Sequence, residues 1–538
     1  MSDSFDYVIV GAGPAGCALA ARLADARPDW TIALLEAGPA KSGIVSDIPL
    51  GIAISTPTKS ARNYGYQTVP QTELNNRRGF QPRGRGMGGS SLINAMIYIR
   101  GQRADYEDWE SQGCDGWGWD DVLRCFRRAE NNERGADDFH ATGGPLNIAD
   151  LRSPNSVAAA FIEAASQAGF PLNPDFNGVD QEGFGWFQVS QKNGSRFNAA
   201  RAYLGSHHRH NLHIIPEAQA QRILFTGKLA TGVEVLRGEA TETITARAEV
   251  IISGGTFNSP QLLMCSGIGP AAHLQSVGVP VLHNSPNVGE NLQDHIDYTM
   301  NRICKHKALF GSDPRILPDL IRGWRDYKRE GRGLFTTNVA ESGGFVKSSP
   351  DQDRPDVQLH FVGALVDDHG RARHFTRGFS IHTCVLRPKS RGTVRLAAPD
   401  MRTPPLIDPR FLTDPRDLQT LLRGVSQALR ILRAPAMKPY AGPAIHGTGE
   451  EEGEALIPLI RAHADTIYHP VGTCGMGRDP DSVLDPQLRV RGVDRLRVVD
   501  ASIMPTLISG NTQAPSSMIG ERAAEFIRAS NSAAAMAA

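Results

Sequence analysis

Phe5-Asp6-Tyr7-Val8-Ile9-Val10 runs directly into Gly11-Ala12-Gly13-Pro14-Ala15-Gly16, an apolar strand feeding a glycine-rich turn that opens a helix. Gly11 permits the tight turn, Gly13 lets a pyrophosphate approach bare backbone at the positive end of the helix, and Gly16 lets that helix lie close on the strand. The helix, read over Cys17 to Ala26, is alanine-rich with Leu19 and Leu23 on one face and ends near Pro28. A second apolar strand, Thr31 to Leu35, ends at Glu36. That carboxylate stands about 20 residues past the last glycine, where it can accept both ribose hydroxyls of an adenosine. Strand, glycines, helix and acid in register predict a dinucleotide site, where the glycines alone would read as an ordinary loop.

Working outward, 538 residues exceed one simple core and predict two or more structural units. The 57 basic and 57 acidic residues cancel without long runs of either sign, which argues against a nucleic-acid surface and for small-molecule partners. No apolar run reaches the roughly 18 residues of a membrane span, and the first residues lack a secretion signal. Seven cysteines without a CxxC pair read as reduced thiols. The expected compartment is the cytoplasm, with peripheral docking at the inner face of the membrane left open.

From Gly38 to Phe80 the chain turns polar and rich in proline and glycine, which predicts a long irregular connection able to cover a cofactor. Gly84-Arg85-Gly86-Met87-Gly88-Gly89-Ser90-Ser91-Leu92-Ile93-Asn94 follows, then Ala95 to Gly101 and Glu107. Closely spaced glycines followed by hydroxyls set bare amides and donors against an anion or a flat ring, although alone such a run reads as a flexible loop. A strand at Val250-Ile251-Ile252 feeds a third glycine block, Gly255 to Gly269, so the nucleotide-binding unit is revisited late in the chain.

These three blocks, in this order, resemble the signatures of the glucose-methanol-choline oxidoreductases. The resemblance runs over essentially the whole chain, through Val288 to His295 and on to Asp500-Ala501-Ser502 and Asn511 to Pro515. Met87 stands where the family more often has a branched aliphatic residue. The resemblance implies an α/β fold, α+β overall. A Rossmann-like FAD-binding domain (1–154, 215–309 and 466–538) would be joined to an antiparallel-sheet substrate-binding domain (155–214 and 310–465). It implies FAD, held by Gly11, Gly13, Pro14, Ala15, Gly16, Glu36, Ala37, Arg85, Gly88, Gly89, Ser90, Asn94, Ala95, Ala220, Asp500, Ala501, Asn511 and Thr512. Some relatives attach the flavin through a histidine just before that asparagine; Ile93 stands there, so the flavin is expected to be non-covalent.

Alcohol oxidation removes a hydride from carbon and a proton from oxygen, so a base must sit beside the flavin. The family match implies His469, in Ile467-Tyr468-His469-Pro470, as that base, with Asn511 facing it across the substrate and donating to the developing alkoxide. Stretches such as Asn338 to Phe345 and Asp465 to His469 are similar to bacterial choline-dehydrogenase-like and medium-chain alcohol dehydrogenases. The implied reaction is primary alcohol to aldehyde, with electrons passed to a quinone or another acceptor. An oxidase using oxygen, a choline dehydrogenase, and a hydroxynitrile lyase on the same fold remain as alternatives.

Two other features carry simpler readings. His207, His208, His210 and His213 cluster without an acid or cysteine to complete a coordination set, so no metal is expected. Arg322 to Arg332 reads as a solvated helix face interrupted by Trp324 and Tyr327, or as a surface for anionic lipid.

Overall fold

The computed structural model describes residues 3–205, 208–313 and 316–537. Two sheets dominate. Their strands, in chain order, are β1 (Asp3–Val10), β2 (Ile32–Leu35), β3 (Gly183–Trp186), β4 (Leu212–Ile215), β5 (Gln219–Thr226), β6 (Leu229–Arg237) and β7 (Ala240–Ile252). They continue with β8 (Ile296–Ile303), β9 (Ala340–Val346), β10 (Val357–Val362), β11 (Gly378–Val385), β12 (Asp465–Thr466) and β13 (Leu496–Val498). The helices that matter below are α1 (Pro14–Ala26), α2 (Gly255–Cys265), α3 (Leu317–Glu330), α4 (Pro415–Leu432) and α5 (Gln513–Ala537).

The seven-stranded sheet runs β4-β2-β1-β7-β6-β5, with β13 also on β7. Tyr7 to Val10 and Ile32 to Leu35 pair in parallel, Tyr7 opposite Ile32 and Val10 opposite Leu35, and the run is apolar and buried. β7 changes character along its length. Its first half pairs antiparallel with β6, while Val250 to Ile252 pair in parallel with β1 on one side and β13 on the other and are fully buried.

The six-stranded sheet runs β12-β8-β11-β10-β9-β3 and is antiparallel throughout. Side chains alternate across it. Val357, Leu359 and Phe361 of β10 enter one core with Leu421, Val425 and Leu429 of α4. Gln358, His360 and Val362 therefore point to the other face. Gly424 lets α4 sit close: a Cβ there would lie 2.8 Å from Thr383 and 2.9 Å from Val357.

Strand pairing departs from the expected domain ranges at two boundaries. Leu212–Ile215, placed by those ranges in 155–214, pairs in parallel with β2 and extends the nucleotide sheet. Ile296–Ile303, placed in 215–309, pairs antiparallel with β11 and belongs to the second sheet. We propose the two-domain division with these strands exchanged. The stretch from 38 to 80 is also more ordered than expected, with short helices at Ile44–Asp47 and Ile52–Ser55 and a paired Tyr66–Gln67 and Phe80–Gln81.

α5 closes the first unit by packing on α1, so tightly that a Cβ on Gly520 would lie 2.3 Å from the Ala15 carbonyl. The Glu521 carboxylate beneath it is fully buried and accepts from Arg22, Arg128 and the Tyr203 hydroxyl at 2.8, 2.7 and 3.0 Å. Among the described residues no helix is long and apolar enough to cross a membrane.

Candidate active site

A cavity of about 890 Å³ lies between the two sheets, near the top of the size range for small-molecule sites. The predicted residues converge on it. Gly11, Gly13, Pro14, Ala15, Glu36, Ala37, Gly89, Ser90, Asn94, Ala95, Ala220, Asp500, Ala501, His469, Asn511 and Thr512 line its wall. Gly16, Arg85 and Gly88 do not, and each stands behind the wall for a physical reason. A Cβ on Gly16 would lie 2.0 Å from the Gly11 carbonyl. Gly88 donates to the Ala12 carbonyl at 2.8 Å and ties the second glycine block to the first. The Arg85 guanidinium lies over the Tyr64 ring at 5.8 Å.

The nucleotide end of the cavity is a cradle with free capacity. α1 begins at Gly13 with no side-chain cap and Pro14 at its first turn, so its orphan amides have no side-chain partner and its positive end faces the opening. No atom lies within 4 Å of where a Cβ on Gly13 or Gly255 would sit, and both glycines line the cavity. Glu36 accepts from the amides of Gly38 and Gly86 at Oε1, both at 2.8 Å, and from Ala12 at Oε2, at 3.0 Å. Burial nonetheless pushes its carboxyl above the ordinary value. A carboxylate offers about four lone-pair positions. Three are engaged, so Oε2 has room for one incoming hydroxyl rather than the pair expected from sequence. These features fit the adenosine and pyrophosphate of a dinucleotide.

At the other end His469 and Asn511 meet directly, with Asn511 Nδ2 donating to His469 Nε2 at 3.1 Å. The expected arrangement had them face each other across the substrate; at this distance a hydroxyl must replace their mutual bond. His469 Nδ1 is 3.0 Å from His295 Nδ1, and His295 Nε2 is 3.0 Å from the Leu386 carbonyl. This chain fixes the protons. The carbonyl can only accept, so His295 carries its proton on Nε2 and its Nδ1 is a bare acceptor. His469 must then donate from Nδ1, which leaves Nε2 unprotonated toward the cavity. Burial, with His295 and His360 nearby, holds the His469 imidazole well below the usual range and therefore neutral. Burial likewise brings His295 down to about 4.

The supporting shell was not legible in the sequence. Gln358 on β10 donates to Asn511 Oδ1 at 3.2 Å, which orients the amide nitrogen toward His469. Asp294 is fully buried, accepts from the His469 amide at 2.9 Å and from the Thr466 hydroxyl, and is raised to about 7 by burial. Tyr468, just before the histidine, holds a left-handed φ of 76°, a conformation that non-glycine residues keep only where surroundings impose it. Its hydroxyl meets His369 Nδ1 at 2.7 Å. His360, two residues along β10 from Gln358, lines the cavity with neither ring nitrogen hydrogen-bonded. Asp294 and Tyr468 lie inside the motif stretches Val288 to His295 and Asp465 to His469, which assign them no role, and for Gln358 and His360 the only signal was strand alternation, which says which face they take and nothing about what they meet across it.

Of the histidine cluster, His207 lies outside the described residues, and the His213 ring packs tilted against Phe5 with ring centroids 5.1 Å apart. A different group, Asp367, His446 and His463, is close enough to share an ion, and Asp367 already accepts from His446 at 2.9 Å.

A family model described as GMC oxidoreductase matches residues 5–297, and a second with the same description matches residues 388–520. The chain is 45% identical over 528 residues to alcohol dehydrogenase [acceptor] of Pseudomonas putida, covering 97% of this chain and 95% of that protein. It is 40% identical over 539 residues to mitochondrial choline dehydrogenase of Homo sapiens, covering 98% and 90%. Among solved structures it is similar to pyridoxine 4-oxidase from Mesorbium loti, with TM-score 0.87, 30% identity and coverage of 97% and 98%. It is also similar to a formate oxidase, with TM-score 0.90, 25% identity and coverage of 98% and 99%.

Proposed function

Because this chain belongs to the GMC oxidoreductase family, we propose that it is an FAD-dependent dehydrogenase converting a primary aliphatic or aryl alcohol to the aldehyde, with electrons passed to a quinone or another acceptor. The observation that carries the reading is the bare Nε2 of His469, fixed toward the cavity by the chain from Leu386 through His295. An alcohol hydroxyl placed at that nitrogen gives up its proton there, and Asn511 Nδ2 donates to the oxygen as charge develops. Bound FAD supplies the hydride acceptor. The proton left on Nε2 leaves His469 cationic, and its Nδ1 donation to His295 persists through the step.

The lining favours an uncharged substrate over choline. The apolar part of the lining includes Ile97, Phe310, Ala340, Val362, Ala364 and Ile467, which pack as one cluster. The lining carboxylates, Glu36 and Asp500, are engaged by backbone amides. Arg373 and Arg371, the latter paired with Asp368, also line the cavity, and the Arg373 cation disfavours a cationic headgroup.

Ile93 offers no nucleophile for a flavin bond, which supports non-covalent FAD. Anaerobic titration with primary alcohols, choline and a cyanohydrin tests the whole reading. We expect the flavin to bleach with an alcohol, to do so about 10² to 10⁴ times more slowly in His469→Ala, and to leave a colourless pellet after acid precipitation. Lasting yellow with every alcohol, together with cyanohydrin cleavage, would move the protein to lyase chemistry.

A further inference from the structure

Seven of the twelve large apolar side chains left exposed among the described residues sit on three segments around one opening. Ile44, Val45 and Ile54 belong to the first segment, Leu317, Ile321 and Trp324 to α3, and Phe375, 85% exposed, to the loop after β10. The segments are joined. Ile52 to Ile54, Phe310 to Ser312, His374 and Thr376 line the cavity. Ser312 donates to the His374 carbonyl at 2.6 Å, and Arg377 reaches Asp319 of α3 at 3.4 Å. Pro49–Gly51 packs on Leu334–Thr336, whose Phe335 ring lies 5.5 Å from Trp324. The apolar residues thus form a rim around the mouth of the cavity.

Cations border that rim. On α3, Leu317, Ile321 and Trp324 make one exposed stripe, and Arg322, Arg325 and Arg329 make the next, with Lys328 over the Trp324 ring at 5.1 Å. Asp319 is paired with Arg377 and Asp326 with Arg325, which leaves Arg322, Lys328 and Arg329 against Glu330 at the end of the helix. A large apolar patch marks a partner, and a helix with an apolar stripe, an interfacial tryptophan and flanking Arg and Lys matches the headgroup–acyl boundary. A second copy fits less well, since a two-fold contact would set this cationic stripe against itself.

We propose that this rim docks the enzyme on an anionic phospholipid bilayer, with the cavity mouth opening at the lipid surface. The docking stands on the rim alone; its use, direct entry of a lipid-soluble alcohol or acceptor, rests on the proposed function.

Co-sedimentation of the FAD-loaded enzyme with phosphatidylcholine vesicles, with and without phosphatidylglycerol, tests it. We expect binding to the anionic vesicles that added salt weakens, and a roughly tenfold or greater loss in Ile321→Glu/Trp324→Glu. Arg322→Glu/Arg329→Glu should abolish the preference for phosphatidylglycerol, and Val281→Glu, an exposed apolar site off the rim, should bind normally. Activity with a soluble acceptor reports that each variant is folded. No vesicle binding by the parent, equal binding by Ile321→Glu/Trp324→Glu, or a dimer that this same variant dissolves would each overturn the proposal. Vesicle binding without bleaching by alcohols would remove the catalytic reading and leave the docking intact.

Discussion

His360 is an expensive residue to keep. Its ring is 3% exposed, burial carries it down to about 3, and neither nitrogen has a hydrogen-bond partner even with the Asn511 side chain nearby. A buried polar group without a partner costs about 1–3 kcal/mol, whereas an apolar side chain of similar shape does not. The position is therefore held for something that enters the cavity. We expect His360→Leu to raise unfolding stability by about 1 kcal/mol in chemical denaturation while kcat/KM for the best alcohol falls by about tenfold or more. Unchanged kinetics would show that the ring does not serve the substrate. His469 was legible only through the family motif around it. His360 was not legible at all, because its neighbours Gln358 and Asn511 come from positions 153 residues apart.

At the scale of elements, the first strand, turn and helix were readable because their glycines have local causes. Gly13 and Gly16 separate two of those causes. Gly13 has open cavity where its Cβ would go, while Gly16 has the Gly11 carbonyl at 2.0 Å. Gly13→Ala should leave the thermal stability of the flavin-free protein unchanged and weaken FAD binding in a fluorescence titration. Gly16→Ala should lower flavin-free stability by about 2 kcal/mol or more, since the clash is with backbone. The elements misjudged from sequence were those whose place depends on distant pairing. Nothing local in Leu212–Ile215 or Ile296–Ile303 names a sheet, and only register against β2 and β11 decides which sheet each joins.

At the scale of the whole molecule, the three buried histidines around the site add a definite term to the response to acid. His295, His360 and His469 are all held below their unfolded value near 6.5, so on acidification the unfolded chain takes up protons that the fold refuses. Their effect is a loss of stability as pH falls below about 6.5 toward 4. Asp294 opposes it: raised to about 7 from 3.8, it holds a proton in the fold that the unfolded chain releases, a contribution present at low pH and lost as pH rises through 7. Within this cluster, three groups against one give a net fall of about 1.4 kcal/mol per pH unit for each net proton. Melting temperature should therefore drop between pH 6.5 and 4, and drop more steeply in Asp294→Asn, where the opposing group is gone. A curve with equal slope in the two proteins would remove Asp294 from this account.

The packing of α5 on α1, locked by Glu521 against Arg22, has a consequence for how the protein is made. A ribosome delivers β1 and α1 first, β7 some 240 residues later, and β13 and α5 near the end of the described chain. Until β7 arrives β1 lacks a neighbour on one side, and until α5 arrives the face of α1 that it covers is bare. The cradle is thus completed only once α5 has been made, and until then the nascent chain must be kept from pairing its bare strand edge with other chains.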